Sequence, residues 1–293
     1  MTLKSEDFNQ LVDYICLEQA VGALRPVIEK ELLHYDILFI LAQKGYLKNL
    51  TFQGGTALRL CYNLQRFSED LDFVGGPDFS AKDLQELKAI IEGYVGQRYQ
   101  LSVELKEPKA KEASSDQKVK VMKWQLSIVT RPESRDLPKQ RVKIEVANIP
   151  AHTRKYMPIS VNYDFLPEGY TNTFVYVESL EEILADKVIA FAARNHLKAR
   201  DIWDLQWLLQ KKLNFNIELV NKKIMDYGIQ GFDALLRARL SQLQPFVYSD
   251  LFTGEMVRFL DDKTIASTLS NEGFLEYVVE QLSVFLTGVL EQL

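Results

Sequence analysis

The chain has 293 residues, of which 47% are hydrophobic and 26% are charged, and its formal net charge is −5. These fractions exclude a disordered chain and allow two domains, while the negative net charge argues against indiscriminate binding to nucleic acid. The sequence has neither an apolar run of about 18 residues nor an apolar leader, so we expect a soluble, cytoplasmic protein without membrane contact.

The predicted elements run from helices through a mixed region and back to helices. We expect helices over 5–47, a strand at 50–52, a helix over 56–64, a strand near 70–73 and a helix over 81–97. Further strands are expected at 99–105, 119–131, 141–147 and 173–177, with amphipathic helices after them. This order predicts an α+β fold, a mixed sheet with flanking helices in residues 1–178, followed by an all-helical C-terminal domain in 179–293.

A double glycine lies between the first strand and the next helix. Gly54 and Gly55 allow a tight turn, and Thr56 is expected to cap the helix. The free N–H groups at a helix N-terminus bind anions such as phosphate. The turn therefore predicts a phosphate-binding site, with an ordinary strand-to-helix connection as the alternative.

Two aspartates follow this helix. Asp70 and Asp72 flank Leu71, so strand alternation places both carboxylates on one face. Adjacent carboxylates repel each other unless a cation neutralises them, and oxygen ligands are those that Mg²⁺ prefers. The pair predicts a magnesium site, with a solvated acidic strand end as the alternative.

Together, Gly-Gly-Thr-Ala-Leu at 54–58 and Arg-Phe-Ser-Glu-Asp-Leu-Asp-Phe at 66–73 resemble the AbiEii-type nucleotidyltransferases. These are the toxins of abortive-infection toxin–antitoxin pairs, within the DNA polymerase β-like nucleotidyltransferase superfamily. That superfamily usually has Gly-Ser where this chain has Gly55-Thr56, and the exchange keeps a hydroxyl at the helix start. The predicted nucleotide-binding residues of this region are Gly54, Gly55, Thr56, Arg59 and Ser68.

The superfamily also uses a third carboxylate on a later strand. In residues 141–147, three apolar side chains alternate with Lys143 and Glu145. Glu145 is therefore the predicted third metal ligand, beside Asp70 and Asp72. The alternative is an ordinary half-exposed strand.

Residues 180–209 are predicted to form two consecutive helices. Ser179 is the expected N-cap of the first, with Glu182 completing a capping box. Lys187 falls within the apolar stripe of that helix, and Arg194 lies one heptad further on. A buried lysine needs an anion, and the resemblance implies that Lys187 contacts nucleotide phosphate, with Arg194 as a further nucleotide-binding residue. A structural salt bridge or a stem that reaches the surface is the alternative.

The second of these helices opens with Arg-Asp-Ile-Trp-Asp-Leu at 200–205, which resembles the last motif of the family. Asp201 and Asp204 lie on or beside its packing face. The resemblance implies that one of them supports the active site, and the pattern leaves open which one. Acids in the first turn of a helix are also favourable whatever the function.

Basic residues concentrate in two clusters around a predicted loop at 113–116. The clusters are Lys106, Lys109, Lys111, Lys118, Lys120 and Lys123, and Arg131, Arg135, Lys139, Arg141 and Lys143. They either blunt the edge strands of a hairpin or form a basic rim that guides an RNA backbone.

Cysteine and histidine chemistry is not indicated. Cys16 and Cys61 lie in apolar helical patterns and are expected to be small core residues. The histidines, His34, His152 and His196, are isolated from one another and from the cysteines. This spacing suggests neither a zinc site nor a Ser-His-Asp triad, which leaves carboxylate chemistry.

We therefore predict a nucleotidyltransferase that depends on Mg²⁺ or Mn²⁺ and transfers a nucleoside monophosphate from a nucleoside triphosphate to an acceptor hydroxyl. The predicted catalytic residues are Asp70, Asp72, Glu145, Lys187, Asp201 and Asp204, and the predicted metal ligands are the first three. The resemblance implies a phage-defence toxin with a separately encoded antitoxin and a tRNA 3′ end as acceptor. The alternatives are a non-catalytic nucleotide- or protein-binding module on the same fold, and a metal-dependent Asp-x-Asp glycosyltransferase.

Overall fold

The computed structural model describes residues 6–108, 119–133 and 138–293. The chain divides between Val177 and Glu178 into two compact units. The N-terminal unit contains a β-sheet with helices, whereas the C-terminal unit is helical throughout. The predicted α+β fold with an all-helical C-terminal region is confirmed.

Helices and strands alternate along the chain of the N-terminal unit. The helices are α1 (Phe8–Glu18), α2 (Arg25–Gln43), α3 (Gly54–Tyr62), α4 (Leu87–Tyr99) and α5 (Glu168–Thr171), with 3₁₀ turns at Gly22–Leu24, Tyr46–Lys48 and Ala81–Leu84. The predicted helical stretch over 5–47 contains two helices. Ala20 adopts a positive φ, which ends the first helix, and Pro26 lies in the first turn of the second, where proline is well tolerated. Residue 5 itself lies outside the described residues.

The described residues form a seven-stranded mixed sheet. Its strands are β1 (Thr51–Gln53), β2 (Leu71–Val74), β3 (Val103–Lys106), β4 (Val121–Ile128), β5 (Gln140–Ala147), β6 (Lys155–Pro158) and β7 (Phe174–Val177). Their order across the sheet is β3-β4-β5-β2-β1-β7-β6. β2 is parallel to β5 and β1 to β7, and the other neighbours are antiparallel. The sequence did not predict β6, because its four residues show no alternation of buried and exposed positions.

One face of the sheet carries the core of this unit. Phe52, Phe73 and Val146 lie side by side on β1, β2 and β5, and all three are buried. Successive side chains of a strand point to opposite faces. Asp72 and Glu145, which precede Phe73 and Val146, therefore point away from this core. The sheet thus separates the apolar side chains from the candidate catalytic carboxylates.

The C-terminal unit is built from amphipathic helices. They are α6 (Leu180–Ala193), α7 (Ala199–Gln210), α8 (Ile217–Tyr227), α9 (Phe232–Val247), α10 (Asp250–Met256), α11 (Asp262–Ser267) and α12 (Glu272–Leu290). α6 packs against α7, α8 and α9, and α12 packs against α7 and α9. The Ser179 hydroxyl accepts a hydrogen bond from the Glu182 backbone N–H, so Ser179 caps α6 as predicted.

Helix α12 contains a window, Gly273–Leu290, that is long and apolar enough to cross a membrane by length and composition alone. Two glutamates, Glu276 and Glu280, interrupt it. Leu275, Val278 and Leu282 are buried at helical spacing, on the side that packs within the C-terminal unit. This pattern is that of an amphipathic helix with 28% of the window buried, and a single helix of this kind is weak evidence for a membrane span.

A buried ionic cluster ties α8 to the start of α6. The Lys223 ammonium lies 3.0 Å from Glu178, 2.8 Å from Glu182 and 3.0 Å from Asp186, and Lys223 is fully buried. Burial opposes the charge on Lys223, but the three carboxylates outweigh it and raise its pKa. Burial, together with the nearby Asp186 carboxylate, raises the pKa of Glu178. The cluster therefore depends on one cation that faces three acids.

Candidate active site

The double glycine permits a close approach between α3 and two other segments. Gly54 has a φ of +77°, and a β-carbon there would lie 2.9 Å from the Asp72 Oδ2 atom. A β-carbon at Gly55 would collide with the Arg66 guanidinium and lie 3.1 Å from the Ser68 hydroxyl. A side chain at either position would thus displace the neighbouring polar groups. The fold brings the glycine turn and the aspartate segment into direct contact.

Thr56 does not cap α3, which corrects the prediction from the sequence. The helix begins at Gly54, its N-cap residue is Gln53, and Thr56 lies inside the first turn. The Thr56 hydroxyl instead donates a hydrogen bond to the Asp70 backbone carbonyl. The glycines let the helix start directly after β1, so the hydroxyl is free to join α3 to the segment before β2.

Asp72 and Glu145 are direct neighbours across two parallel strands. They are partners in the register of β2 and β5, and both are partly exposed. Asp70 lies just before β2, although the sequence predicted it to be inside the strand, and its Oδ1 atom accepts a hydrogen bond from the Lys143 backbone N–H at 3.1 Å. A side chain thus replaces the backbone carbonyl as acceptor at this end of the strand pair. Asp70 and Asp72 therefore lie at the start of β2, and Glu145 is the residue of β5 that pairs with Asp72.

Two lysines compensate part of this negative charge. The Lys143 ammonium is 3.4 Å from the Asp70 carboxylate, and the Lys123 ammonium is 3.2 Å from the Glu145 carboxylate. The two lysine side chains are 47% and 53% exposed, so they can leave these positions at low cost. The sequence placed both in its basic clusters without connecting them to the carboxylates. One feature of the sequence does indicate that a lysine lies near the carboxylates: Lys143 stands two residues before Glu145 and therefore on the same face of the strand.

The donor chemistry of the three carboxylates suits a hard divalent cation, because all three supply oxygen ligands. Within residues 6–108, 119–133 and 138–293, no group of three or more His, Cys, Asp or Glu side chains is arranged to hold a metal ion. Binding would therefore require the carboxylates Asp70, Asp72 and Glu145 to converge. The metal assignment remains a prediction.

Arg59 and Ser68, the other predicted nucleotide-binding residues of this unit, have different surroundings. The Arg59 guanidinium pairs with buried Glu31, donates to the Gln65 carbonyl at 2.7 Å and lies 3.9 Å from the centre of the Phe67 ring. Burial opposes ionisation of Glu31, but the Arg59 charge and hydrogen bonds outweigh it and lower the Glu31 pKa. Arg59 thus fixes α3 to the core, while Ser68 lies beside Gly55.

Arg66 is a residue of this site to which the sequence assigned no role. It is 2% exposed, and its Nη1 group donates to the Phe67 carbonyl at 2.8 Å. Its guanidinium occupies the space that the missing side chain of Gly55 leaves. Arg66 is therefore a buried cation that packs against the predicted phosphate-binding turn.

A second constellation lies in the C-terminal unit. The Lys187 ammonium on α6 is 2.8 Å from Asp201 and 2.7 Å from Asp204 on α7, and all three side chains are buried. Arg194, just after α6, lies 2.9 Å from Asp201. The buried lysine is therefore neutralised by carboxylates of its own unit, which was the structural alternative. The role of Lys187 toward phosphate remains a prediction, and both aspartates contact it.

The family model for the nucleotidyl transferase AbiEii toxin of the Type IV TA system matches residues 36–277. The chain belongs to this AbiEii family. It is therefore a nucleotidyltransferase toxin, and the predicted resemblance is confirmed. The match spans the glycine turn, the three carboxylates and the Lys187 constellation.

Two solved structures from Helicobacter pylori resemble this AbiEii protein. A putative nucleotidyltransferase shares 19% identity with a TM-score of 0.50, and the alignment covers 91% of this chain and 95% of that one. JHP933 shares 20% identity with a TM-score of 0.48, and the alignment covers 91% and 92%. The first likeness supports the nucleotidyltransferase fold. No curated protein matches the chain significantly.

The basic clusters of this AbiEii toxin are only partly within the described residues. Lys109, Lys111, Lys118 and Arg135, like the predicted loop at 113–116, lie outside them. Lys123, Arg141 and Lys143 share the strand face of Glu145, since they stand at paired or alternate positions on β4 and β5. This part of the predicted basic rim therefore borders the carboxylates.

The cysteines and the buried histidine are uncharged parts of the protein, although His34 contacts the residue that precedes Asp70. Cys61 is buried and Cys16 half-buried, and both are free thiols. Burial raises the pKa of both thiols, which keeps them protonated. Burial lowers the pKa of His34 to about 4, and its Nε2 atom lies 2.9 Å from the Glu69 carbonyl. These groups are neutral components of the core at neutral pH.

Proposed function

We propose that this toxin transfers a nucleoside monophosphate from a nucleoside triphosphate to an acceptor hydroxyl, in a reaction that depends on Mg²⁺ or Mn²⁺. The observation that carries the proposal is the position of Asp72. Its carboxylate lies against Gly54 on one side and is in register with Glu145 on the other. A phosphate-binding turn beside paired carboxylates is the arrangement that phosphoryl transfer needs.

Asp70, Asp72 and Glu145 are the proposed ligands of the divalent cation. When bound, the cation supplies positive charge that stabilises the oxygen entering at the α-phosphorus and the pyrophosphate that leaves. Lys123 and Lys143 contact Glu145 and Asp70, and so offset part of the repulsion among the carboxylates.

The side chains of the N-terminal unit divide the remaining work. Glu145 accepts the proton of the acceptor hydroxyl, whose oxygen forms the new bond to the α-phosphorus. The bond from that phosphorus to the bridging oxygen breaks, and pyrophosphate leaves with the electron pair. The backbone N–H groups of Gly55 and Thr56 at the start of α3 bind the triphosphate. Ser68 is a further proposed phosphate contact, whereas Arg59 forms its ion pair with buried Glu31.

Two residues of the C-terminal unit are proposed to bind nucleotide phosphate. Lys187 and Arg194 would contact phosphate, and Asp201 and Asp204 would hold Lys187 in place. The ion pairs of 2.7–2.8 Å support the second part of this proposal. The proposed acceptor is a tRNA 3′ end, and growth inhibition in the cytoplasm would be countered by a separately encoded antitoxin in phage defence. The Type IV toxin description of the family supports this role.

A labelling experiment tests the proposal. Purified wild type, Asp72→Asn and Glu145→Gln are incubated with Mg²⁺, total tRNA and each α-labelled nucleoside triphosphate in turn. We expect wild type to label RNA, and each variant to lose more than about 100-fold in rate, since loss of an outer-shell partner of a metal alone costs ~10–100-fold. Glu104→Gln, an exposed acid on β3, is the matched control and should retain full rate. Chelation should abolish labelling, and added Mg²⁺ should restore it.

Two results would contradict the proposal. Labelling that survives both variants would remove the carboxylates from the chemistry. Growth inhibition by Asp72→Asn at the wild-type level, with no labelling by either protein, would indicate a binding module that does not catalyse transfer.

A further inference from the structure

Asp70 lies in a short segment of irregular backbone just before β2. Residues 67–70 belong to neither a helix nor a strand, and β2 begins at Leu71. Asp72, by contrast, is inside β2, where pairing with β1 and β5 holds the backbone. The Asp70 carboxylate therefore needs other contacts to keep it in place.

Two side chains bind the carbonyl groups on either side of the Asp70 α-carbon. The His34 Nε2 atom on α2 lies 2.9 Å from the Glu69 carbonyl oxygen. The Thr56 hydroxyl on α3 donates a hydrogen bond to the Asp70 carbonyl oxygen. A carbonyl oxygen only accepts hydrogen bonds, so the Nε2 atom of His34 carries the proton and donates it. His34 and Thr56 are both buried, and the core thus fixes the two donors.

These two hydrogen bonds define the backbone angles of Asp70. A peptide group is planar, so the orientation of its carbonyl fixes the plane of the whole group. The Glu69 carbonyl belongs to the plane before the Asp70 α-carbon, and the Asp70 carbonyl belongs to the plane after it. When both planes are held, φ and ψ of Asp70 are set, and with them the direction in which its side chain leaves the backbone.

The charged groups around this segment complete the arrangement. Lys30, one turn before His34 on α2, lies 2.6 Å from the Glu69 carboxylate, so α2 binds both the backbone and the side chain of Glu69. The Asp70 Oδ1 atom accepts the Lys143 backbone N–H, whereas Oδ2 lies 3.4 Å from the exposed Lys143 ammonium. Oδ2 is therefore the oxygen that a cation from solvent can reach when that ammonium moves.

We propose that His34 and Thr56 are positioning residues of the transferase, which together present the Asp70 Oδ2 atom to the divalent cation. The inference rests on the proposed function, because the cation is part of that reaction. The His34 ring and the Thr56 hydroxyl act through the backbone of Asp70. Loss of either donor would leave a carbonyl without this partner and allow the Asp70 backbone to turn. Metal affinity should then fall more than the stability of the fold explains.

Mn²⁺ binding to the full chain without nucleotide tests the proposal, with electron paramagnetic resonance of the free ion as the signal. His34→Leu and Thr56→Val remove the donors, and each should weaken Mn²⁺ binding ~10–100-fold, the usual cost of losing a residue that orients a metal ligand. His34→Gln keeps an N–H donor and should bind Mn²⁺ more tightly than His34→Leu. Tyr35→Phe is the matched control with wild-type affinity, because Tyr35 is a buried residue of α2 whose hydroxyl donates to the Ser160 carbonyl at 3.0 Å.

The Mg²⁺ dependence of the labelling rate provides a second readout. His34→Leu should need a higher Mg²⁺ concentration for its half-maximal rate, and its rate should approach that of wild type at saturation, since the carboxylates are unchanged. A residue with only a structural role would instead give a lower urea midpoint at an unchanged Mg²⁺ requirement. That result would contradict the proposal.

The outcomes separate this inference from the proposed function. Mn²⁺ binding that is lost in Asp72→Asn but unchanged in His34→Leu and Thr56→Val would overturn the inference and leave the proposed function intact. Equal weakening in Tyr35→Phe and His34→Leu would also overturn it, because any lost hydrogen bond of α2 would then have the same effect. Equally weak Mn²⁺ binding by wild type and Asp72→Asn would contradict the proposed metal site, and the role of His34 with it. If His34→Leu does not fold, Thr56→Val decides between these outcomes.

Discussion

Replacement of Lys223 by methionine should destabilise the C-terminal unit more than any other single lysine change in that unit. The variant keeps the length of the side chain but removes the cation that faces Glu178, Glu182 and Asp186. Breaking a buried ion pair by removal of one partner costs ~3–5 kcal/mol. For a unit of this size, that corresponds to a fall of about 12–20 °C in melting temperature.

The loss should depend on pH in a defined direction. Burial, together with the nearby Asp186 carboxylate, already raises the pKa of Glu178, and removal of the Lys223 charge raises it further, so the folded pKa of Glu178 lies above its unfolded value. The folded state then binds more protons than the unfolded state, and stability falls as pH rises. The contribution of each protonated acid is complete below its unfolded pKa and is lost as pH rises through its folded pKa. The deficit should therefore grow between about pH 5 and pH 8, by up to ~1.4 kcal/mol per pH unit for each proton.

Thermal and urea unfolding followed by circular dichroism at pH 5 and pH 8 measures this effect. Lys222→Met changes the neighbouring exposed lysine and should shift the midpoint little. Addition of Glu182→Gln to Lys223→Met should recover part of the loss, because one uncompensated acid is removed. Equal midpoints for the Lys222 and Lys223 variants, or a deficit that is the same at both pH values, would refute the assignment of Lys223 as the balancing charge.

Two further changes address the N-terminal unit. Gly54→Ala should lower labelling activity strongly, because the new methyl group would lie 2.9 Å from the Asp72 carboxylate; Gly76→Ala imposes a similar positive-φ strain, ~1–2 kcal/mol, with open space around it, and should retain activity. Similar activities in the two variants would show that strain alone matters. The folded pKa of His34, about 4, lies below its unfolded value, so wild type should lose stability as pH falls from about 6.5 to 4, by up to ~1.4 kcal/mol per unit. His34→Gln should flatten this dependence in urea midpoints at pH 7 and pH 4.5, and an unchanged slope would assign it to other groups.

Local patterns predicted most of the elements that hold the site. The strand over 141–147 follows from alternation, and the positions of the glycine turn and the aspartate segment follow from residue type. The predicted N-cap of α3, Thr56, lies three residues after the observed one, Gln53, because Thr56 has a suitable hydroxyl and the sequence does not show that this hydroxyl bonds to Asp70. Local propensity indicates that a threonine hydroxyl can cap a helix, and the residues that surround it in the fold decide which hydrogen bond it makes.

The sequence also does not show which partners the charged side chains have, because those partners are set by the tertiary structure. Lys187 in an apolar stripe requires an anion, and the structure supplies Asp201 and Asp204 from the next helix. The sequence shows Lys123 and Lys143 only as two positive charges. Lys123 on β4 pairs with Glu145 on the neighbouring strand, and Lys143 on β5 pairs with Asp70 just before β2, so neither lysine is close in sequence to its acid. Coulomb energy depends on distance, which the sequence does not contain.

The sequence by itself determined the residue types of the site, the order of most elements other than β6 and, through the motif over 54–73, the family. Those properties depend on local spacing and on backbone preferences that each segment carries with it. Only the tertiary structure decided that Asp72 is in register with Glu145, that Arg66 fills the space beside Gly55 and that His34 binds the Glu69 carbonyl next to Asp70. Strand order and register are set by long-range pairing and by burial of the opposite face, so they emerge only when the segments pack together.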